Sequence, residues 1–116
     1  MRSVAPPRWE VPELRPAAMD SLEMAAREAG LALRIRLALE ERGAYVVTIH
    51  GEPMGRVGCP DFIICWRGRF IAIEVKRPGN VPTRAQVRQL ELIRKAGGIA
   101  VVVHSVAEAL AVLEAA

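Results

Sequence analysis

Apolar residues gather most densely between Gly58 and Lys76, in the run GCPDFIICWRGRFIAIEVK. Ile, Val, Phe and Trp dominate both sides of an Arg67-Gly68 pair, which reads as a tight hairpin turn between two strands. The first strand spans Asp61 to Trp66 and the second Arg69 to Lys76. Ala44 to His50 and Ile99 to Val103 carry the same β character. Elsewhere the spacing is helical. Met24, Leu31, Ala32, Ile35, Ala38 and Leu39 fall on one stripe of a helix from Asp20 to about Arg42. Asp20 and Glu23 suit a capping box at its start, and Gly43 ends it. Gly30 is an internal weak point, costing about 1 kcal/mol against Ala. Thr83 and Gln86 suit a second capping box, opening a helix that stops at Gly97-Gly98. Ser105 and Glu108 start the last helix.

The order is therefore α-β-β-β-α-β-α. Arg69 to Val103 forms a strand-helix-strand crossover, which should place its two strands parallel. Both faces of the hairpin are largely apolar, so helices are expected on both sides of the sheet. Four prolines within Met1 to Ala18 mark an extended N-terminal arm, leaving residues 19–116 as one folded domain.

The hairpin register carries the chemistry. A two-residue loop pairs Trp66 with Arg69, so Cys65 faces Phe70, Ile63 faces Ala72, and Asp61 faces Glu74. Opposed residues have Cβ atoms about 5 Å apart. Lys76 lies on the same face, about 7 Å beyond Glu74. Two carboxylates and an ammonium thus meet at the open end of the hairpin. Like charges directly opposed destabilise a sheet, so the pair needs a cation or a raised pKa on one member. A hard divalent ion such as Mg²⁺ suits two carboxylates plus water and phosphate oxygens. Glu28 falls within the apolar stripe of the first helix, where an unpaired carboxylate is costly. It either pairs with an Arg at the stripe's border or reaches the carboxylate site.

Composition narrows the partners. The 116-residue chain is 52% hydrophobic and 4% aromatic, with a net charge of +3. That supports one core, argues against broad base-stacking surfaces, and permits a phosphate-rich partner. Arg56 in the Gly51–Gly58 loop, Arg77 after the hairpin, and Arg84 and Arg88 on the following helix are candidate phosphate contacts. Each also reads as an ordinary surface charge. Cys59 and Cys65 lack zinc-ligand spacing, and Cys65, in mid-strand, is expected to be a buried thiol. With no secretory signal and no apolar run of spanning length, a cytoplasmic chain without membrane contact is expected.

Pro60-Asp61 followed by Glu74-Val75-Lys76 resembles the signature of the PD-(D/E)XK nuclease superfamily. The wider string resembles its VRR-NUC branch: Ile49-His50-Gly51, Gly58-x-Pro60-Asp61, Gly68-Arg69-Phe70, Ile73-Glu74-Val75-Lys76, then Gln86. The resemblance runs from about Glu28 to Ala109. It implies a restriction-endonuclease-like three-layer α-β-α core with a mixed sheet. It implies a bacterial or phage-encoded Mg²⁺-dependent DNA endonuclease, with Mn²⁺ able to substitute, acting on branched DNA such as four-way junctions. Asp61, Glu74 and the Val75 carbonyl would hold the metal. Glu28 would supply the acidic residue of the first helix, and Lys76 would orient the attacking water. Gln86 would reach that water or the scissile phosphate. Two coordinated cuts on a junction would suit a homodimer. A nucleic-acid-binding module without catalysis is the alternative, and the intact Asp61, Glu74 and Lys76 argue against it. A two-carboxylate glycosidase is disfavoured by the small chain, the few aromatics and the Lys at the site.

Overall fold

A computed structural model describes residues 30–116. The elements are α1 (Leu31–Glu41), β1 (Tyr45–Thr48), β2 (Phe62–Trp66), β3 (Arg69–Val75), α2 (Arg84–Lys95), β4 (Ile99–Val103) and α3 (Val106–Ala115). A short 3₁₀ turn, Pro53–Gly55, lies in the loop after β1. The strands form one sheet in the order β1-β2-β3-β4. β1 and β3 each run antiparallel to β2, while β3 and β4 run parallel, as the crossover requires.

The hairpin register is the expected one. Trp66 pairs with Arg69, Cys65 with Phe70 and Ile63 with Ala72. Arg67 and Gly68 both have positive φ, 49° and 77°, which gives the turn a twist that matches the flanking strands. The Arg67 guanidinium lies 4.6 Å from the centroid of the Trp66 ring. Trp66 Nε1 donates to the Leu113 carbonyl at 3.1 Å, tying the turn to α3.

Alternation along the strands divides the core in two. On one face Val46, Phe62, Ile64, Ile71, Ile73 and Val103 pack against Ile35 and Leu39 of α1 and Ala109 and Leu113 of α3. On the other face Ala72 and Ala100 lie under Leu90 of α2, with Ile63, Ile93 and Val102 around them. Helices therefore cover both sides, but unequally. Among the described residues the second face has one helix, over β3 and β4. Tyr45, Cys65 and Phe70, which share a cross-strand row on that face, remain exposed. The expectation that Cys65 is a buried thiol is thereby corrected. Its place in mid-strand sets the face it occupies, and no described helix extends over that end of β2.

The first helix is also corrected. Gly30 is its N-cap, with φ 96° and ψ −172°, so the helix begins at Leu31 and does not run through Gly30. Glycine takes this left-handed conformation without a Cβ clash, so the apolar periodicity continues across it while the helix does not. Asp20, Glu23, Glu28, Trp9 and the N-terminal arm lie outside the described residues. At the other end α1 is tied to β1 by Arg36, which donates to Thr48 Oγ1 and to Glu40 Oε1, each at 2.7 Å.

Candidate nuclease site

Glu74 is the buried charged side chain among the described residues, 3% exposed, at the C-terminal end of β3. Its position follows from the alternation of β3. Phe70, Ala72 and Glu74 point to the face that α2 covers, and Glu74 continues that row under the start of α2. Asp61 lies just before β2, beside Pro60, which is buried. The Asp61 carbonyl accepts from Ile49 N–H at 2.8 Å, so the residue is held between β1 and β3. Its carboxylate oxygen Oδ2 accepts from the Val75 N–H at 2.7 Å.

Gln86 connects the site to α2. The capping box forms as expected. Thr83 Oγ1 accepts from Gln86 N–H at 3.2 Å, and Gln86 Oε1 accepts from Thr83 N–H at 2.9 Å. The remaining end of the same amide, Nε2, donates to Glu74 Oε1 at 3.0 Å. One side chain therefore caps the helix and orients the carboxylate. Lys76 Nζ stands 3.5 Å from the same Glu74 oxygen. Gly58 lets the preceding loop lie against this corner. A Cβ there, at φ 82°, would sit 2.4 Å from the Ala85 carbonyl carbon and 2.6 Å from Gln86 N.

The electrostatics are those of a carboxylate pair. Burial, and next the charge on Asp61, raise the Glu74 pKa from 4.5 to about 7, while Lys76 opposes the shift. Glu74 Oε2 is buried and, among the described residues, has no hydrogen-bond partner. A buried carboxylate oxygen without a partner is costly, and a cation is the simplest group to satisfy it. The donor set is oxygen only, from two carboxylates, which fits a hard ion that keeps several waters. Among the described residues no third His, Cys, Asp or Glu joins them. Asp61 and Glu74 are the described carboxylates able to hold such an ion.

The arginines separate into three places. Arg84 opens α2 and Arg88 is exposed one turn further on. Arg77 follows Lys76 and, with Arg34 and His104, lines a recess of about 520 Å³ beside the start of α1. Arg34 and His104 did not stand out in the sequence, since only the meeting of α1 with the ends of β3 and β4 brings them to Arg77. Arg56 lines a different groove of about 540 Å³, along α2.

No family model and no curated protein matches the chain. Solved structures do. One, described as a VRR_NUC domain, is 30% identical with a TM-score of 0.57. The match covers 70% of this chain and 91% of that one. A second, described as a VRR_NUC domain protein, is 29% identical with a TM-score of 0.53. There the match covers 60% of this chain and 64% of that one. The chain belongs to the VRR-NUC family.

As a VRR-NUC domain it is a nuclease-family domain with a small α/β fold around a four-stranded mixed sheet. The residues whose spacing resembles the family signature stand together in the fold. Asp61, Glu74 and Lys76 meet at one end of the hairpin, and Gln86 reaches Glu74 from α2. Among the described residues no helix is long and apolar enough to cross a membrane.

Proposed function

We propose that this VRR-NUC domain is a metal-dependent endonuclease that hydrolyses DNA phosphodiester bonds. The observation that carries the reading is the buried Oε2 of Glu74, unpartnered among the described residues, beside the charge of Asp61. Asp61 and Glu74 would hold Mg²⁺, or Mn²⁺ in its place, with the Val75 carbonyl as a further ligand by family resemblance. Such an ion, when bound, polarises a phosphoryl oxygen and lowers the pKa of its water. The protein's own part is positioning. Gln86 fixes the Glu74 carboxylate, and the Val75 N–H fixes that of Asp61. Lys76 places an ammonium beside the pair, where negative charge builds on the phosphate and the attacking water is oriented. Arg77, Arg84 and Arg88 are exposed near these residues in the chain and would neutralise flanking phosphates.

Branched DNA as substrate, and a homodimer making two cuts, are proposed from the family resemblance. The test is cleavage of supercoiled plasmid, a synthetic four-way junction and a linear duplex, each with EDTA, Mg²⁺ or Mn²⁺. Cleavage only with the metal, and faster on the junction than on the duplex, is expected. Metal-independent cleavage, or DNA binding with no cleavage under any condition, would refute the proposal.

A further inference from the structure

The groove of about 540 Å³ runs beside α2, away from the carboxylates. Phe70 stands in it, 49% exposed, although its strand neighbours Ile71, Ala72 and Ile73 are all fully buried. Leu92 and Ile93 of α2 face the ring across the groove. Gly98 forms part of the wall, and a Cβ there would come within 3.0 Å of the Phe70 ring and 2.8 Å of Ile93. A side chain at position 98 would crowd the groove. Arg56, Arg69 and Gln89 also line it. Among the described residues no carboxylate does.

The elements that build the catalytic corner also build this groove. β3 carries Glu74 and Phe70 on one face, four residues and so about 13 Å apart. α2 carries Gln86 against Glu74 and Gln89 in the groove, one turn further along. Phe70 therefore lies within the span of a few nucleotides of a DNA strand whose phosphate sits at Glu74. We infer that the groove takes one unstacked nucleobase of the strand being cut, with Phe70 as its platform and Arg56 and Arg69 on the adjoining phosphates.

The chemistry selects this occupant. An aromatic face flanked by guanidinium groups suits a base between two phosphates. Base pairs within a duplex hide their faces in the stack, so the groove discriminates for DNA with unpaired nucleotides beside the scissile bond. Few aromatics rule out an extended stacking surface, but one ring suffices for one base. A second copy of this chain is the poorer fit. Groove against groove about a two-fold axis would bring Arg56 and Arg69 of both copies together with no acid among the described lining residues to offset them.

This inference rests on the nuclease reading, and the experiment separates the two. Binding is measured in EDTA at fixed salt, on a blunt duplex and on a duplex of equal length carrying an unpaired segment. Phe70→Ala should lose about ten-fold in affinity for the DNA with the unpaired segment and little for the blunt duplex. Phe70→Tyr should restore it. Phe70→Leu keeps an apolar contact with Ile93 without an aromatic face, so it should lose affinity as Phe70→Ala does even if the latter folds poorly. Equal losses on both DNAs, no loss on either, or a change in oligomeric state on sedimentation would overturn the inference and leave the nuclease reading standing. Failure of the wild-type protein to bind any DNA would overturn both.

Discussion

Glu74→Ala protein should remain folded, bind DNA and fail to cut it. The loss expected is about three orders of magnitude or more, the scale for removing a group that acts directly on charge in the transition state. Two features motivate this. Glu74 is buried with an oxygen that no described side chain satisfies, and Gln86 and Lys76 both engage its other oxygen. A structural role would not require that arrangement, since an apolar residue would fill the space at lower cost. Asp61→Ala and Lys76→Ala should show losses of the same order. In each case the readout is nicking of supercoiled plasmid in Mg²⁺, beside a melting curve that establishes folding. Full nicking activity in folded Glu74→Ala protein would remove the assignment of this corner as the catalytic site.

The second large effect is on stability and its pH dependence without metal. The folded-state pKa of Glu74, about 7, lies above its ordinary value of 4.5. Between those values the folded protein holds a proton that the unfolded chain releases. Stability of the metal-free protein should therefore fall as pH rises from about 4.5 to about 7, and level off above that. The shift corresponds to a cost of up to about 3 kcal/mol at the upper end of this window. Glu108 contributes in another range. Its pKa is lowered, first by the His104 backbone N–H, so it weakens the fold only as pH falls below the usual carboxylate range. Urea unfolding in EDTA at about pH 5 and about pH 8 measures the effect of Glu74. Glu74→Gln cannot ionise, so its stability should change far less between the two. An equal change in wild type and variant would show that Glu74 does not carry the shift.

How much of this was legible in the sequence depends on range along the chain. The hairpin register, from Phe62 opposite Ile73 to Trp66 opposite Arg69, was readable because a two-residue turn leaves a single pairing. It brings Asp61, which the structure places just before β2 and outside the ladder, toward Glu74. The capping box of Thr83 and Gln86 was readable because it is local. The bond from Gln86 to Glu74 was not, because it depends on how α2 settles over β3. Cys65 shows the same limit. Alternation assigns it to a face, but whether a helix covers that end of the face depends on the length and placement of α2. Gly30 failed for a different reason. Apolar spacing continues through it, and only the backbone shows that the chain turns there into a left-handed conformation. Phe70 pairs with Cys65 across the hairpin, and its exposure follows from the same end of the sheet that no described helix covers.

Whether Asp61 and Glu74 share one cation is read most directly from four melting curves, wild type and Asp61→Asn, each in EDTA or in Mg²⁺. Asn retains an oxygen to accept from the Val75 N–H and removes one of the two charges. The metal-free variant should melt at or above the metal-free wild type, since the repulsion on Glu74 is relieved. Mg²⁺ should raise the melting temperature of the wild type by mass action and that of the variant little or not at all. A metal-free variant clearly less stable than the wild type, or one that responds to Mg²⁺ as the wild type does, would contradict a shared site.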